Sequence, residues 1–217
     1  MLKGIILANG KSPQKNVLNF LLNNHYSCLI CADGGANSAR KLNLIPDYII
    51  GDLDSIKSEN LKYFQEKSVI IKLKDQNSTD VEKCLNFMVK KKYTEAILSG
   101  VTGNRLDHTF CNLGIVLKYF DKISISIIAE KSFLKAYKGI VELKTIPGET
   151  ISIYGFNNKT KIKSTGLKYP LKNIELPFGQ KESTSNIAIS SSVKFVIVGG
   201  PIFIIRDFNL MKKNGFI

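Results

Sequence analysis

Apolar runs that each end near a glycine or an acid recur through the first half of this chain. That rhythm constrains the fold more than any other feature. Gly4-Ile-Ile-Leu7 leads to Asn9-Gly10. Cys28-Leu-Ile-Cys-Ala32 is followed by Asp33, Tyr48-Ile-Ile-Gly51 by Asp52 and Asp54, and Val69-Ile-Ile-Lys-Leu73 by Asp75. Asp107 lies a short loop beyond Ala96-Ile-Leu-Ser99. Helix-like stretches separate the runs, as in βαβ units, so the runs read as parallel strands whose carboxyl ends share one edge. Open α/β sheets take ligands at that edge. Carboxylates gathered there repel one another unless a cation is held among them. In a chain of net charge +13, the gathering points to a divalent metal and a phosphate-bearing substrate.

The clearest helix spans residues 80–91, with Val81, Cys84, Leu85, Met88 and Val89 at i, i+3, i+4, i+7, i+8. Thr79-x-x-Glu82 is a capping box, so Thr79 is the expected N-cap and Asp80 falls in the first turn. A second helix, over residues 106–119, carries Leu106, Phe110, Leu113 and Leu117 on one face, the expected core face. Beyond residue 131 the rhythm changes to short strand-like runs and turns, among them Pro147-Gly148, Asn157-Asn158 and Gly199-Gly-Pro201, with no convincing helix. That half reads as a small β-sandwich or barrel. The expected organisation is an α/β domain over residues 1–130 followed by an all-β domain over residues 131–217.

At 217 residues the chain buries enough apolar surface, roughly 70% of the unfolded surface, to need no disulfide staples. Cys28, Cys31, Cys84 and Cys111 form no second paired motif, and all four are expected as buried free thiols. No apolar run reaches the roughly 18 residues of a membrane span. The amino terminus lacks a signal-peptide cleavage site, so the expected location is cytoplasmic, with no membrane partner. The basic excess is spread along the chain without an Arg/aromatic stripe, which disfavours nucleic acid as a partner and fits a solvated surface or attraction of an anionic nucleotide.

Three short segments carry the chemistry. In Gly51-Asp-Leu-Asp-Ser55 an extended backbone puts both carboxylates on one side, the arrangement Mg²⁺ uses when it also holds phosphate oxygens and water; an Asp-rich turn with capping duty is the alternative. In Asp75-Gln-Asn-Ser-Thr-Asp80, Asp80 either stabilises the helix N-terminus or holds a cation that a phosphate also touches, and Lys83 is one turn on. In Gly103-Asn-Arg-Leu-Asp-His108, Arg105 suits a bidentate phosphate clamp, Asp107 a metal, and His108 either a phosphate or the orientation of Asp107. There is no P-loop, no G-x-G-x-x-G and no G-x-S-x-G, which disfavours P-loop kinases, standard dinucleotide oxidoreductases and α/β-hydrolases.

Taken together these segments resemble the thiamine pyrophosphokinase family. The carriers are Cys31-Ala-Asp-Gly-Gly-Ala36, Pro46-Asp-x-x-x-Gly-Asp-Leu-Asp-Ser55, Asp75-Gln-x-x-Thr-Asp80 with Lys83, and Gly103-x-Arg-Leu-Asp-His108 with Asn112. Thr165-Gly-Leu-Lys-Tyr-Pro-Leu171 and Ser183-Thr-Ser-Asn186 continue the likeness through the second half. The resemblance implies a Rossmann-like, parallel-sheet nucleotide domain followed by a β-sandwich domain. It also implies a homodimer with shared active sites, thiamine lying between the sandwich domain of one subunit and the nucleotide domain of the other. The implied reaction moves the pyrophosphoryl group of ATP to the hydroxyethyl oxygen of thiamine, with Mg²⁺ required. Asp52, Asp54 and Asp80 become the expected metal ligands. Arg105 and Lys83 are expected on the phosphates, with His108 and Asn112 beside them and Asp107 as a ligand or hydroxyl-orienting group. Asp33, Gly34 and Gly35 form the loop near the nucleotide, and Asp75 orders the start of the helix. Gln76, Tyr169, Ser183, Ser185 and Asn186 are the expected substrate contacts. Asn104 departs from the glycine common in the family, and without Trp any stacking on thiamine falls to Tyr or Phe. The rival readings are a pyrophosphokinase of the same architecture acting on another alcohol, such as a hydroxymethylpterin, and a non-catalytic nucleotide- or nucleic-acid-binding protein.

Overall fold

The computed structural model describes residues 1–103 and 105–217, so the departure at Asn104 lies outside the described residues. The chain divides into two compact units, Met1–Glu130 and Lys131–Ile217.

In the first unit the elements run β1 (Leu2–Leu7), α1 (Lys15–Asn24), β2 (Cys28–Ala32), α2 (Gly35–Lys41), β3 (Tyr48–Gly51), α3 (Ser58–Phe64), β4 (Val69–Lys72), α4 (Asp80–Lys90), β5 (Tyr93–Ser99), α5 (Leu106–Lys118) and β6 (Ser124–Ala129). The strands pair in parallel in the order β4-β3-β2-β1-β5-β6. The central strands are apolar on both faces, with Ile5, Ile6, Leu7, Leu29, Ile30 and Cys31 all buried. An unbroken apolar run of this kind is what a sheet covered on both sides requires. The chain leaves β1 for β2, β3 and β4 on one side and then returns to place β5 on the other. The order therefore reverses between β1 and β5, where ligands of such sheets sit. Backbone hydrogen bonds stitch the two strand ends together there: Ala8 N–H to Ser99 O at 2.8 Å, Gly10 N–H to Gly100 O at 2.6 Å and Lys11 N–H to Thr102 O at 2.8 Å.

Helix α4 forms as its periodicity predicts. Thr79 Oγ1 accepts from Glu82 N–H and Glu82 returns a bond to Thr79 N–H, closing the capping box, while Val81, Cys84, Leu85 and Met88 are buried. Helix α5 corrects the expectation. Leu106 and Phe110 are exposed, at 70% and 56%, and Leu113 and Leu117 are only half-buried. The buried positions are Asn112, Ile115 and Val116. The helix is apolar on more than one face, so periodicity alone could not choose between them. A second correction concerns the thiols: Cys28, Cys31 and Cys84 are buried, but Cys111 is exposed because it shares α5's uncovered first turns.

The second unit contains β7 (Ser132–Lys144), β8 (Thr150–Tyr154), β9 (Lys161–Thr165), β10 (Lys172–Glu175), β11 (Ser183–Ile187), β12 (Ser192–Asp207) and a short helix α6 (Phe208–Lys213), the last unforeseen in the sequence. Its pairings are antiparallel. Strand β12 pairs with β7 along its length, with β9 through Lys194–Val198 and with β8 through Phe203–Arg206. Gly199-Gly-Pro201 is not the turn its composition predicts. It lies within β12, where the register against β7 shifts between Ile197 and Ile202, as at a bulge. Ile151, Ile153, Ile162, Phe195, Ile197, Ile202 and Ile204 build the core of this unit. Beside them a fully covered ion pair closes: Arg206 Nε and Nη2 donate to the two oxygens of Glu149 at 2.6 and 2.9 Å, and Nη2 also reaches Lys144 O at 2.7 Å.

Candidate active site

The strand ends position the acids of the first unit. Asp33 follows β2 in a left-handed backbone conformation, φ 41°, and is 1% exposed. Its Oδ2 accepts from Ser55 N–H at 2.9 Å, while its Oδ1 is buried with no hydrogen-bond partner among the described residues. Burial raises the carboxyl's pKa, the Ser55 N–H opposes that rise, and Asp80 and Asp54 add to it. Two glycines make room. A Cβ on Gly35 would sit 2.0 Å from Leu7 O, so α2 approaches the end of β1 only through a glycine. A Cβ on Gly51 would sit 2.6 Å from Asp33 Cβ and 3.1 Å from Asp80 Oδ1.

The carboxylates brought together are Asp33, Asp52 and Asp80, with one oxygen of each inside a mutual spacing of 4.8 Å. Asp54 falls outside this triplet, and its carboxylate accepts from Ser55 Oγ at 2.9 Å. The physical reason is Leu53, whose φ of 68° breaks the extended backbone on which the pairing of Asp52 and Asp54 depends. Asp33, read from the sequence as part of a glycine loop, takes the third position.

Lys83 is buried and donates from Nζ to Asp80 Oδ1 at 2.9 Å. Burial pulls its pKa down, but the bond and charge of Asp80 outweigh this and hold it above the ordinary lysine value. Arg105, the N-cap of α5, grips both oxygens of Asp107 through Nε and Nη2. This hydrogen-bonded pairing lowers the Asp107 carboxyl to about 2. A cleft of about 630 Å³ is lined by Asp33, Gly34, Asp80, Arg105, Asp107 and His108, among others. Asn112 also lines it, yet its Nδ2 is engaged with Val101 O at 3.0 Å and His108 O at 2.8 Å. Asn112 thus ties the loop after β5 to α5.

The cleft also includes Asn9, Gly10, Val101 and Thr102, to which the sequence reading gave no role at the site. The signal for them was available, since they directly follow the two strands between which the sheet order reverses. Asp75 accepts from Asn77 N–H and from Ser78 Oγ, closing the turn before α4. Gln76 is exposed on that turn. In the second unit, the Asn186 side chain holds both Tyr169 N–H, at 3.1 Å, and Tyr169 O, at 2.8 Å, and donates to Ser183 Oγ at 3.1 Å. Tyr169 is 60% exposed. Ser185 has a left-handed φ of 55° and donates N–H to Ser152 Oγ at 3.0 Å.

A parallel sheet whose carboxyl edge gathers three acids, a helix N-terminus and two paired cations is suited to a polyphosphate bridged by a cation. Comparison with known proteins makes this specific. Residues 20–128 match the thiamin pyrophosphokinase catalytic domain, and residues 139–200 match the thiamin pyrophosphokinase vitamin B1 binding domain. The chain belongs to the thiamin pyrophosphokinase family. It is 28% identical over 199 residues to thiamine pyrophosphokinase 2 of Oryza sativa subsp. japonica, covering 78% of this chain and 74% of that protein. The crystal structure of thiamine pyrophosphokinase from Bacillus subtilis superposes with a TM-score of 0.83 at 24% identity, covering 97% of this chain and all of that one. The enzyme from Geobacillus thermodenitrificans gives 0.80 at 27% identity, covering 95% and 97%.

Proposed function

We propose that this protein makes thiamine diphosphate by transferring the pyrophosphoryl group of ATP to the hydroxyethyl oxygen of thiamine, releasing AMP. The observation that carries the reading is the presence in one chain of both family domains, catalytic and vitamin B1 binding. The first unit then acts as the Rossmann-like nucleotide domain and the second as a β-sandwich that binds thiamine.

The residues fit Mg²⁺ as the resident ion. Asp33, Asp52 and Asp80 offer hard oxygens within 4.8 Å of one another, and the buried Asp33 Oδ1 has no hydrogen-bond partner among the described residues. Oxygen ligands that leave room for water and phosphate are what Mg²⁺ favours. When bound, the ion neutralises charge on the phosphate oxygens. Asp54 supports this cluster from the neighbouring turn. The nucleotide loop is Asp33-Gly34-Gly35.

The protein's own contribution is positioning and electrostatics, which carry most of phosphoryl-transfer catalysis. Lys83 is fixed by Asp80 and faces the phosphates. Arg105 exchanges Asp107 for phosphate oxygens, its planar fork fitting either partner. Asp107, once released, is placed to orient the thiamine hydroxyl, and His108 donates to phosphate. The thiamine hydroxyl releases its proton to water as its oxygen forms a bond to the β-phosphorus, the bond from that phosphorus to the oxygen of the α-phosphate breaks, and the leaving AMP carries the bridging oxygen. Tyr169, presented by Asn186, offers an aromatic face to the thiazolium cation. Ser183, Ser185 and Gln76 are the remaining candidate substrate contacts.

The chain acts as a cytoplasmic homodimer in this reading. Exposed Leu106 and Phe110 on α5 supply an apolar surface for a second copy to cover. The test of the activity is AMP release from ATP and Mg²⁺ with thiamine or a hydroxymethylpterin. AMP is expected with thiamine. Release with the pterin alone would transfer the reading to another alcohol, and release with neither would leave a binding protein.

A further inference from the structure

Helices α4 and α5 divide the phosphate-facing groups between them. Asp80 and Lys83 stand on the first turn of α4, and Arg105, Asp107 and His108 at the start of α5. The two helices are joined by side chains at a staggered position. Glu82 Oε1 accepts from Lys118 Nζ at 2.6 Å, and Tyr119 OH meets Asn86 Oδ1 at 2.8 Å. The last turn of α5 thus meets the first two turns of α4. Glu82 is 6% exposed and uses its other oxygen, Oε2, to accept from Thr79 N–H at 3.0 Å. One buried carboxylate therefore closes the cap of α4 and anchors the far end of α5.

We propose that Glu82, acting through Lys118, is a positioning residue that sets the spacing between the two halves of the nucleotide site. The inference rests on the reading of the cleft as the ATP site. Thirteen residues separate Arg105 from Lys118, about 20 Å of helix at 1.5 Å per residue. Over that lever a tilt of about 5° at the Lys118 end moves Arg105 by roughly 2 Å. A misplacement near 1 Å in a reacting geometry costs on the order of 100-fold. Within one chain, among the described residues, the first turns of α5 have little else to correct the tilt, because Leu106, Asp107, His108, Phe110 and Cys111 are exposed and burial begins at Asn112; a second copy covering Leu106 and Phe110 meets the helix as this contact has set it. Stability and function separate at this contact. The Lys118 side chain is 63% exposed, so water can reach the place its ammonium leaves beside Glu82 Oε1, and Glu82 keeps its bond to Thr79 N–H through Oε2, which keeps the loss to folding small.

The experiment measures the full-length protein with Lys118→Met, Glu82→Gln and the double variant, reading steady-state constants and direct binding of a fluorescent ATP analogue with Mg²⁺. The expected result is an ATP KM and an analogue Kd raised about tenfold in each single variant. Turnover falls as well, because Asp107 moves with Arg105; the double variant is no worse than the worse single, and Lys118→Arg recovers wild-type constants. Lys118→Met should melt within a few degrees of wild type, so it remains informative if Glu82→Gln folds poorly. Unchanged ATP KM and Kd in Lys118→Met, or effects that add in the double variant, would overturn the positioning role alone. Wild-type protein that does not bind the analogue would overturn the ATP-site reading and this inference with it.

Discussion

Lys83 Nζ lies 2.9 Å from Asp80 Oδ1, with the lysine side chain 4% exposed and the aspartate side chain 32% exposed. A buried ammonium paired with an acid that also faces two other carboxylates is a charge arrangement poised for a phosphate and a cation together.

The acid triplet should make the metal-free protein pay an electrostatic cost that single neutral substitutions relieve. Asp33→Asn and Asp80→Asn are expected to weaken Mn²⁺ binding, followed by calorimetry, by at least about tenfold and to cut turnover by orders of magnitude. Asp33→Asn should also raise the melting temperature measured in EDTA. Asp54→Asn, outside the triplet, should lose much less Mn²⁺ affinity than either. A loss at Asp54 equal to that at Asp33 would show that Asp54 is a ligand too, and an Asp33 variant with wild-type Mn²⁺ affinity would remove Asp33 from the set.

Gly51→Ala tests the space that lets Asp33 and Asp80 converge. The added methyl would overlap Asp33 Cβ at 2.6 Å, and overpacking of this kind costs about 1–3 kcal/mol. Turnover should fall at least tenfold, with a matching loss in urea-melt stability. Wild-type kinetics in this variant would mean the carboxylates tolerate a wider spacing.

The Arg105–Asp107 pair has a pH signature. A depressed carboxyl pKa means that the pairing is fully present above the ordinary Asp value and is lost as pH falls through the depressed one. The Asp107 carboxyl carbon should therefore titrate near 2 in NMR of the nucleotide-free protein. In Arg105→Ala it should return toward the usual value of about 3.9. Titration of the wild-type group near 3.9 would show that the pair is open in solution.

In the second unit, Arg206→Met strands Glu149 in the core without its partner. Removing one member of a buried pair typically costs about 3–5 kcal/mol, so chemical denaturation of this variant should show a loss of that size. A loss under about 1 kcal/mol would mean that water reaches Glu149.

Much of the first unit was legible in the sequence, because a parallel sheet buried on both faces writes its strands as unbroken apolar runs and α4 carries a complete capping box. The motifs also named Asp52, Asp80, Lys83, Arg105 and Asp107, which the structure places after β3 and at the starts of α4 and α5. What failed depended on single backbone angles or on packing. Nothing local announces that Leu53 turns left-handed, so Asp54 read as the partner of Asp52, and Asp33 as part of a glycine loop. The exposed leucine and phenylalanine on α5 look like core to a periodicity argument, which sees an apolar face but not whether anything covers it. Gly199-Gly-Pro201 has the composition of a turn, and only the long-range pairing of β12 with β7 and β9 turns it into a bulge.

That pairing bears on how the second unit assembles. Strands β7, β8 and β9 are all made before β12, yet each finds a partner in it. Contacts so distant along the chain must close late, which slows folding. They also leave few stable half-folded states. A cut in the segment between β11 and β12 should therefore release the whole unit at once rather than fray it, and the thiamine binding proposed for this unit would be lost in a single step.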